Sequence, residues 1–254
     1  MIKHLAVCGD SFGVGHGLPS ERQFEDSFGG LVADHYNLKH LVYARSGCCN
    51  FVIYLQIKKI IDQMRFNPFL KPFVLITTTW TERITFPLWH PKLFNGADLS
   101  QVDYLNYDPY NKNKPHWRKL PFRTSKNHRL VSETIPVNRN DPGLEHLYKK
   151  LNPEDHSAVT MYFNHLHDPV IKEIIDYSLL STAHQLLVKH NVPHLFLSPK
   201  YVETIDKKNI IIHDWIDISN KHPDNQNTGH CNEHGHLITS KRVLQHIDKF
   251  NLML

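Results

Sequence analysis

Apolar residues in this chain gather in short continuous runs that alternate with longer stretches of helical spacing. Residues 4–8 (HLAVC) form such a run, closed by Gly9-Asp10-Ser11, the pattern of a buried parallel strand that delivers polar residues to a sheet edge. Residues 21–36 place Phe24, Phe28, Leu31 and Val32 at helical spacing, and a helix is predicted there although Gly29 and Gly30 weaken its propensity. A strand over 38–44, a helix over 51–64 and a strand over 73–79 continue a βαβα rhythm. Later, 169–190 reads as a crossover helix with apolar positions at Ile171, Ile174, Ile175, Leu179, Leu180 and Leu187. Residues 193–199 read as a fourth strand, 209–219 as a fifth strand or strand-like segment, and 236–250 as a final helix.

Alternating strands and helices imply a three-layer α/β/α sandwich, a mainly parallel sheet covered on both faces. Between residues 84 and 152 the periodicity fails, with Pro, Asn, Asp and Lys punctuating Trp89, Tyr104, Tyr107, Tyr110 and Trp117. The stretch 84–168 is therefore expected to be a long insertion after strand three, within one domain spanning 1–254. An excursion of that length is either a lid or binding wall or a segment whose aromatics pack onto the core, and both readings stay open.

At 41% hydrophobic and 21% charged residues the chain has the composition of an ordinary folded domain, and its 254 residues fit one core. Lys plus Arg exceed Asp plus Glu by only 29 to 25, and the charges are interspersed, so a nucleic-acid partner is not expected. Cys8, Cys48, Cys49 and Cys231 contain no CxxC pair, which favours a reducing compartment over a disulfide framework. The first seven residues reach Gly9 and Asp10 too soon for a signal-peptide core, and no apolar run approaches membrane-spanning length. A cytoplasmic protein with no membrane partner and no cofactor is the expectation.

In open parallel sheets ligands bind beyond the carboxyl ends of the strands, which directs attention to four polar segments. They are Gly9-Asp10-Ser11-Phe12, Ser46-Gly47-Cys48-Cys49-Asn50, the run Thr77 to Arg83, and the late loop Asp224 to His230. A serine hydroxyl needs a base within hydrogen-bond reach, most often histidine, and the oxyanion it creates needs preorganised donors. Ser11 and His230 meet the first requirement only if the fold unites them. The Ser11 and Gly47 N–H groups, with a polar side chain after strand three, would meet the second. Ser11 also reads as a helix N-cap, and Asp10 as a structural cap or turn residue.

These segments resemble the blocks of the SGNH (GDSL-like) hydrolases. VCGDSFGVGHGLP looks like the nucleophile block, ARSGCCN is similar to the second block, and NTGHCNEHGHLITSKRV resembles the closing block DGxHPNxxGH. The resemblance implies a flavodoxin-like sandwich and an esterase acting on a small acyl ester, such as an O-acetyl carbohydrate. It makes Ser11 the nucleophile, His230 its base, and Gly47 an oxyanion donor beside Ser11. Residues 84–168 lie outside it.

Two positions depart from the family pattern. Where Gly-x-Asn-Asp is usual, VLITTTWTER has Thr79, Thr81 and Glu82, so Thr81 takes the donor's place. Strand followed by W-T-x-x-R resembles a divergent, phage-like branch, for which a virus-encoded origin would be expected. Trp80 and Arg83 fall where substrate could be gripped, although a structural salt bridge is the commoner fate of such an arginine. The acid three residues before the histidine is replaced by Asn227, leaving Asp224 as the nearest carboxylate. Two other classes compete: a binding module on the same scaffold, and a metal-dependent hydrolase using His230 and His234, although no metal motif has the required spacing. Glu233, His234 and Gly235 read as the cap of the final helix.

Overall fold

In a computed structural model of the chain, the described residues are 2–19, 21–45, 48–80, 161, 165–166, 168–225 and 229–253, together with four short strands between 84 and 135. β1 (His4–Cys8) leads through a single helical turn, α1 (Ser11–Val14), to α2 (Phe28–His35) and β2 (Lys39–Val42). α3 (Asn50–Phe66) and β3 (Pro72–Thr77) follow. The short strands β4 (Ile84–Phe86) and β7 (Glu133–Ile135) pair antiparallel, as do β5 (Phe122–Arg123) and β6 (Arg129–Leu130). α4 (Pro169–Lys189), β8 (His194–Ser198), β9 (Ile210–Ile212), α5 (Trp215–Lys221) and α6 (Glu233–Phe250) complete the order.

Five strands make one parallel sheet in the order β2-β1-β3-β8-β9, so the chain winds outward in both directions from β1 and β3. Alternation along the central strands sorts side chains between two cores. Ala6, Cys8, Val74, Ile76 and Phe196 meet Ile53, Ile57 and Ile60 of α3 and Leu180, Ala183 and Leu187 of α4. Leu5, Val7, Leu75, Leu195 and Leu197 meet Phe28 and Val32 of α2, Trp215 of α5, and Val243 and Ile247 of α6. This is an α/β sandwich with helices on both faces, as the periodicity predicts. Among the described residues, no helix is long and apolar enough to cross a membrane.

Several boundaries differ from the sequence expectation, and local capping explains most of them. The helix expected over 21–36 starts at Phe28, where the Ser27 hydroxyl accepts from Gly30 N at 3.1 Å. At Gly30 a Cβ would lie 2.1 Å from the Phe24 carbonyl, so the tight turn before α2 needs that glycine. The segment 209–219 is strand only through Ile212. Asp214 then accepts from Ile216 N and Asp217 N at 2.9 and 3.1 Å and turns the remainder into α5. The final helix starts at Glu233, not His236, and its cap is Asn232 rather than Glu233, His234 or Gly235. On α4, Ile171, Ile174 and Ile175 face outward, while Leu180 and Leu187 join the core. The expected lid or wall over 84–168 lies almost wholly outside the described residues.

Four buried histidines fix a pH response. Burial lowers His40, His194 and His213 to about 4 and His236 to about 3. Hydrogen bonding fixes the tautomer of two of them. His194 Nδ1 donates to Val192 O at 2.7 Å, leaving Nε2 to accept from His184 Nδ1 at 2.8 Å. His236 Nδ1 accepts from Phe28 N at 3.2 Å, so its proton sits on Nε2. The unfolded chain takes up these protons near 6.5 and the folded chain only near 4 or below, so stability is complete above about pH 6.5 and falls as acid approaches 4. Each unit of pH across that window costs about 1.4 kcal/mol per histidine. The melting temperature followed by circular dichroism is expected to drop by about 10 °C or more between pH 7 and pH 5. A flat profile would contradict the neutral burial.

Candidate functional site

β1 ends against β3 at a place where only glycine fits. Gly9 has φ +147°, and a Cβ there would lie 1.7 Å from Thr77 Oγ1 and 2.8 Å from the Thr77 carbonyl. The chain therefore turns flush with the sheet edge and enters α1. Asp10, fully buried, caps that turn by accepting from Phe12 N at 3.1 Å, so the cap is Asp10 and not Ser11. Gly15 at φ +83° closes the turn, and His16 N donates to Ser11 O at 2.9 Å. Ser11 is left as the first helical residue, 4% exposed.

The loop before α6 doubles back on itself. Pro223 and Cys231 form an antiparallel bridge, Asp224 N donates to His230 O at 2.9 Å, and Asn232 N donates to His222 O at 2.8 Å. The Asn232 side chain joins this bridge to the helix, donating to Pro223 O at 3.0 Å and accepting from His234 N and Gly235 N. Asp224 and His230 thus face each other across a two-stranded turn.

That turn rests on the loop after α1 with no room between them. A Cβ at Gly17, φ +98°, would lie 2.9 Å from Cys231 O, 3.0 Å from His230 Cβ and 3.2 Å from Asp224 Cβ. Two Cβ atoms that both lie within 3.2 Å of one point are within side-chain reach of each other. The His230 ring meets Phe12, the residue after Ser11, at 5.0 Å between centroids and His16 at 4.5 Å. Phe12 in turn stacks on the buried Trp215 at 4.5 Å and meets Trp80 edge-on at 6.0 Å. The fold therefore brings Ser11, His230, Asp224 and Trp80 to one region at the carboxyl edge of the sheet.

Beside them lies a cavity of about 230 Å³ at the ends of β3 and β8, lined in part by Asn50, Thr79, Trp80, Tyr177 and Lys200. Gly47, Thr81, Arg83 and Asn227 lie outside the described residues, so the geometry around them carries no reading. His234 sits edge-on against His222, with ring centroids 4.7 Å apart. Among the described residues no group of three or more His, Cys, Asp or Glu could hold a metal ion. All four cysteines are buried, and burial raises the Cys231 thiol to about 12, unsuited to nucleophilic work.

No relative was found. The chain matches no protein-family model, no curated protein and no solved structure.

Sequence reasoning missed two contributors, Gly17 and Gln56, and gave Asn50 no role beyond its place in the polar segment after strand two. Gln56 interrupts the apolar stripe Val52, Ile53, Ile57, Ile60 of α3 yet is fully buried, and a polar residue on a buried stripe was the available signal. Gly17→Ala is expected to strain a left-handed backbone and push the turn carrying Asp224 and His230 away from α1, lowering stability by about 1–3 kcal/mol. Urea unfolding measures this, and an unperturbed midpoint would rule out the close approach described.

Proposed function

We propose that this chain is a serine hydrolase of the SGNH type, cleaving a small acyl ester through an acyl-serine intermediate. The observation that carries the reading is the seating of the His230 turn on the loop after α1, which puts the imidazole against the residue adjoining Ser11. His230 takes the Ser11 proton as Oγ attacks the ester carbonyl. The same proton passes to the departing alcohol, and water then releases the acid by the reverse sequence.

Asp224 is assigned the orienting role that Asn227 does not supply. It faces His230 across the turn, it is 3% exposed, and a buried carboxylate there stabilises the imidazolium formed during transfer. The Ser11 N–H and, from the resemblance, Gly47 and Thr81 are assigned to the oxyanion. Trp80 lines the cavity at the ends of β3 and β8, and a compact ester such as an acetylated sugar unit is assigned to it.

Hydrolysis of p-nitrophenyl acetate tests this directly. Turnover by the native chain should vanish in Ser11→Ala and fall by about 10²- to 10⁴-fold in Asp224→Asn. Equal rates for native and Ser11→Ala would end the proposal. The low exposure of Ser11 favours one rival, a binding module that kept the scaffold without the chemistry. A fluorophosphonate probe separates the two, since only an activated Ser11 becomes labelled.

A further inference from the structure

α3 carries two side-chain amides that treat the sheet edge in the same way. Gln56 accepts from Gly9 N at 2.6 Å through Oε1 and donates to Gly9 O at 3.1 Å through Nε2. Asn50 accepts from Thr79 N at 3.0 Å through Oδ1 and donates to Thr79 O at 3.1 Å through Nδ2. Each amide closes a two-bond ring with the backbone of one residue, as a neighbouring strand would. Gln56 is 0% and Asn50 1% exposed, so neither can exchange its partner for water.

The residues held are not arbitrary. Gly9 is two positions before Ser11, and Thr79 is two before Thr81. Parallel pairing of β1 with β3 ends at Cys8 and Ile76, so no ladder bond between these two strands registers the segments beyond. The remaining Nδ2 hydrogen of Asn50 donates to Asp176 Oδ2 at 3.0 Å, which also meets Lys172 Nζ at 2.5 Å. α4 thereby braces the Asn50 amide.

We infer that Gln56 and Asn50 are positioning residues, two carboxamides on one helix that set the nucleophile turn at a fixed distance from the exit of β3. This rests on the hydrolase reading. Neither residue acts on substrate. Their effect is on where the hydroxyl of Ser11 stands relative to Thr79 when charge develops. A misplacement of about 1 Å at such a site costs on the order of 10²-fold in rate, with little change in ground-state binding.

Gln56→Met and Gln56→Glu test the inference together. Gln56→Met cannot form either bond, and its kcat on p-nitrophenyl acetate is expected to fall by about 10²-fold with KM within about twofold of native. Protonated glutamate keeps both bonds to Gly9, its carbonyl accepting from Gly9 N and its hydroxyl donating to Gly9 O, and loses only the contact of Gln56 Nε2 with Cys48 Sγ at 3.6 Å. The carboxylate has no hydrogen to donate and faces the Gly9 carbonyl. Burial raises the proton affinity of that glutamate, so the ratio of Gln56→Glu to native kcat should be close to one in mild acid and decline as pH rises. A purely structural glutamine would lower stability without this pH-dependent rescue.

Amide hydrogen exchange at Gly9 supplies a readout that needs no turnover, with faster exchange expected in Gln56→Met than in native. Native-like kcat and KM in Gln56→Met, despite faster exchange, would overturn the inference, as would a pH-independent ratio for Gln56→Glu. If native and Ser11→Ala turn over equally, the hydrolase reading has failed. Unchanged Gly9 exchange in Gln56→Met would show separately that the clamp itself does not hold.

Discussion

The site depends on one contact between backbones. The loop after α1 and the turn before α6 approach so closely that Gly17 has no space for a single carbon, because Cys231 O and the Cβ atoms of His230 and Asp224 fill it. Residues more than two hundred positions apart are thereby locked in register by backbone packing. Hydrogen bonds within each partner make the contact firm. The Asp10 cap stiffens one side, and the Pro223–Cys231 bridge with the Asn232 side chain stiffens the other. A rigid seat of this kind suits proton transfer, which tolerates little positional spread.

Among the described residues the histidines divide by environment. His40, His194, His213 and His236 are enclosed and kept neutral by burial, His194 inside a chain of hydrogen bonds from α4 to the Val192 carbonyl. His222 and His234 meet edge-on near the turn. His230 is half-buried, between the aromatic packing of Phe12 and the open edge of the sheet. Composition alone gives no way to rank them. Position relative to the sheet does.

The layered fold was legible because the short continuous apolar runs at β1, β3 and β8 and the apolar stripes on α3 and α6 follow from which faces are buried. Boundaries were less so, since Ser27, Asp214 and Asn232 each begin a helix through one side-chain bond that periodicity does not register. NIIIHDWIDIS has the apolar content of one strand, and only the cap at Asp214 divides it. Ser11, His230 and Asp224 could be read from short polar segments after strands, since the carboxyl edge is where a parallel sheet leaves residues unpaired. Gly17 and Gln56 could not be read this way. One matters for the side chain it lacks, and the other for an amide hidden within an apolar helix face.

Phe12 belongs to two systems at once. Its ring lies against Trp215 in the core and against His230 at the edge, and it adjoins Ser11 in the chain. Repacking of the aromatic layer behind it would therefore travel outward to the imidazole and the serine backbone together. Evolution of this protein toward greater thermal resistance through that layer is consequently not independent of the geometry of the candidate site. Drift in the interior is constrained there by what happens at the surface.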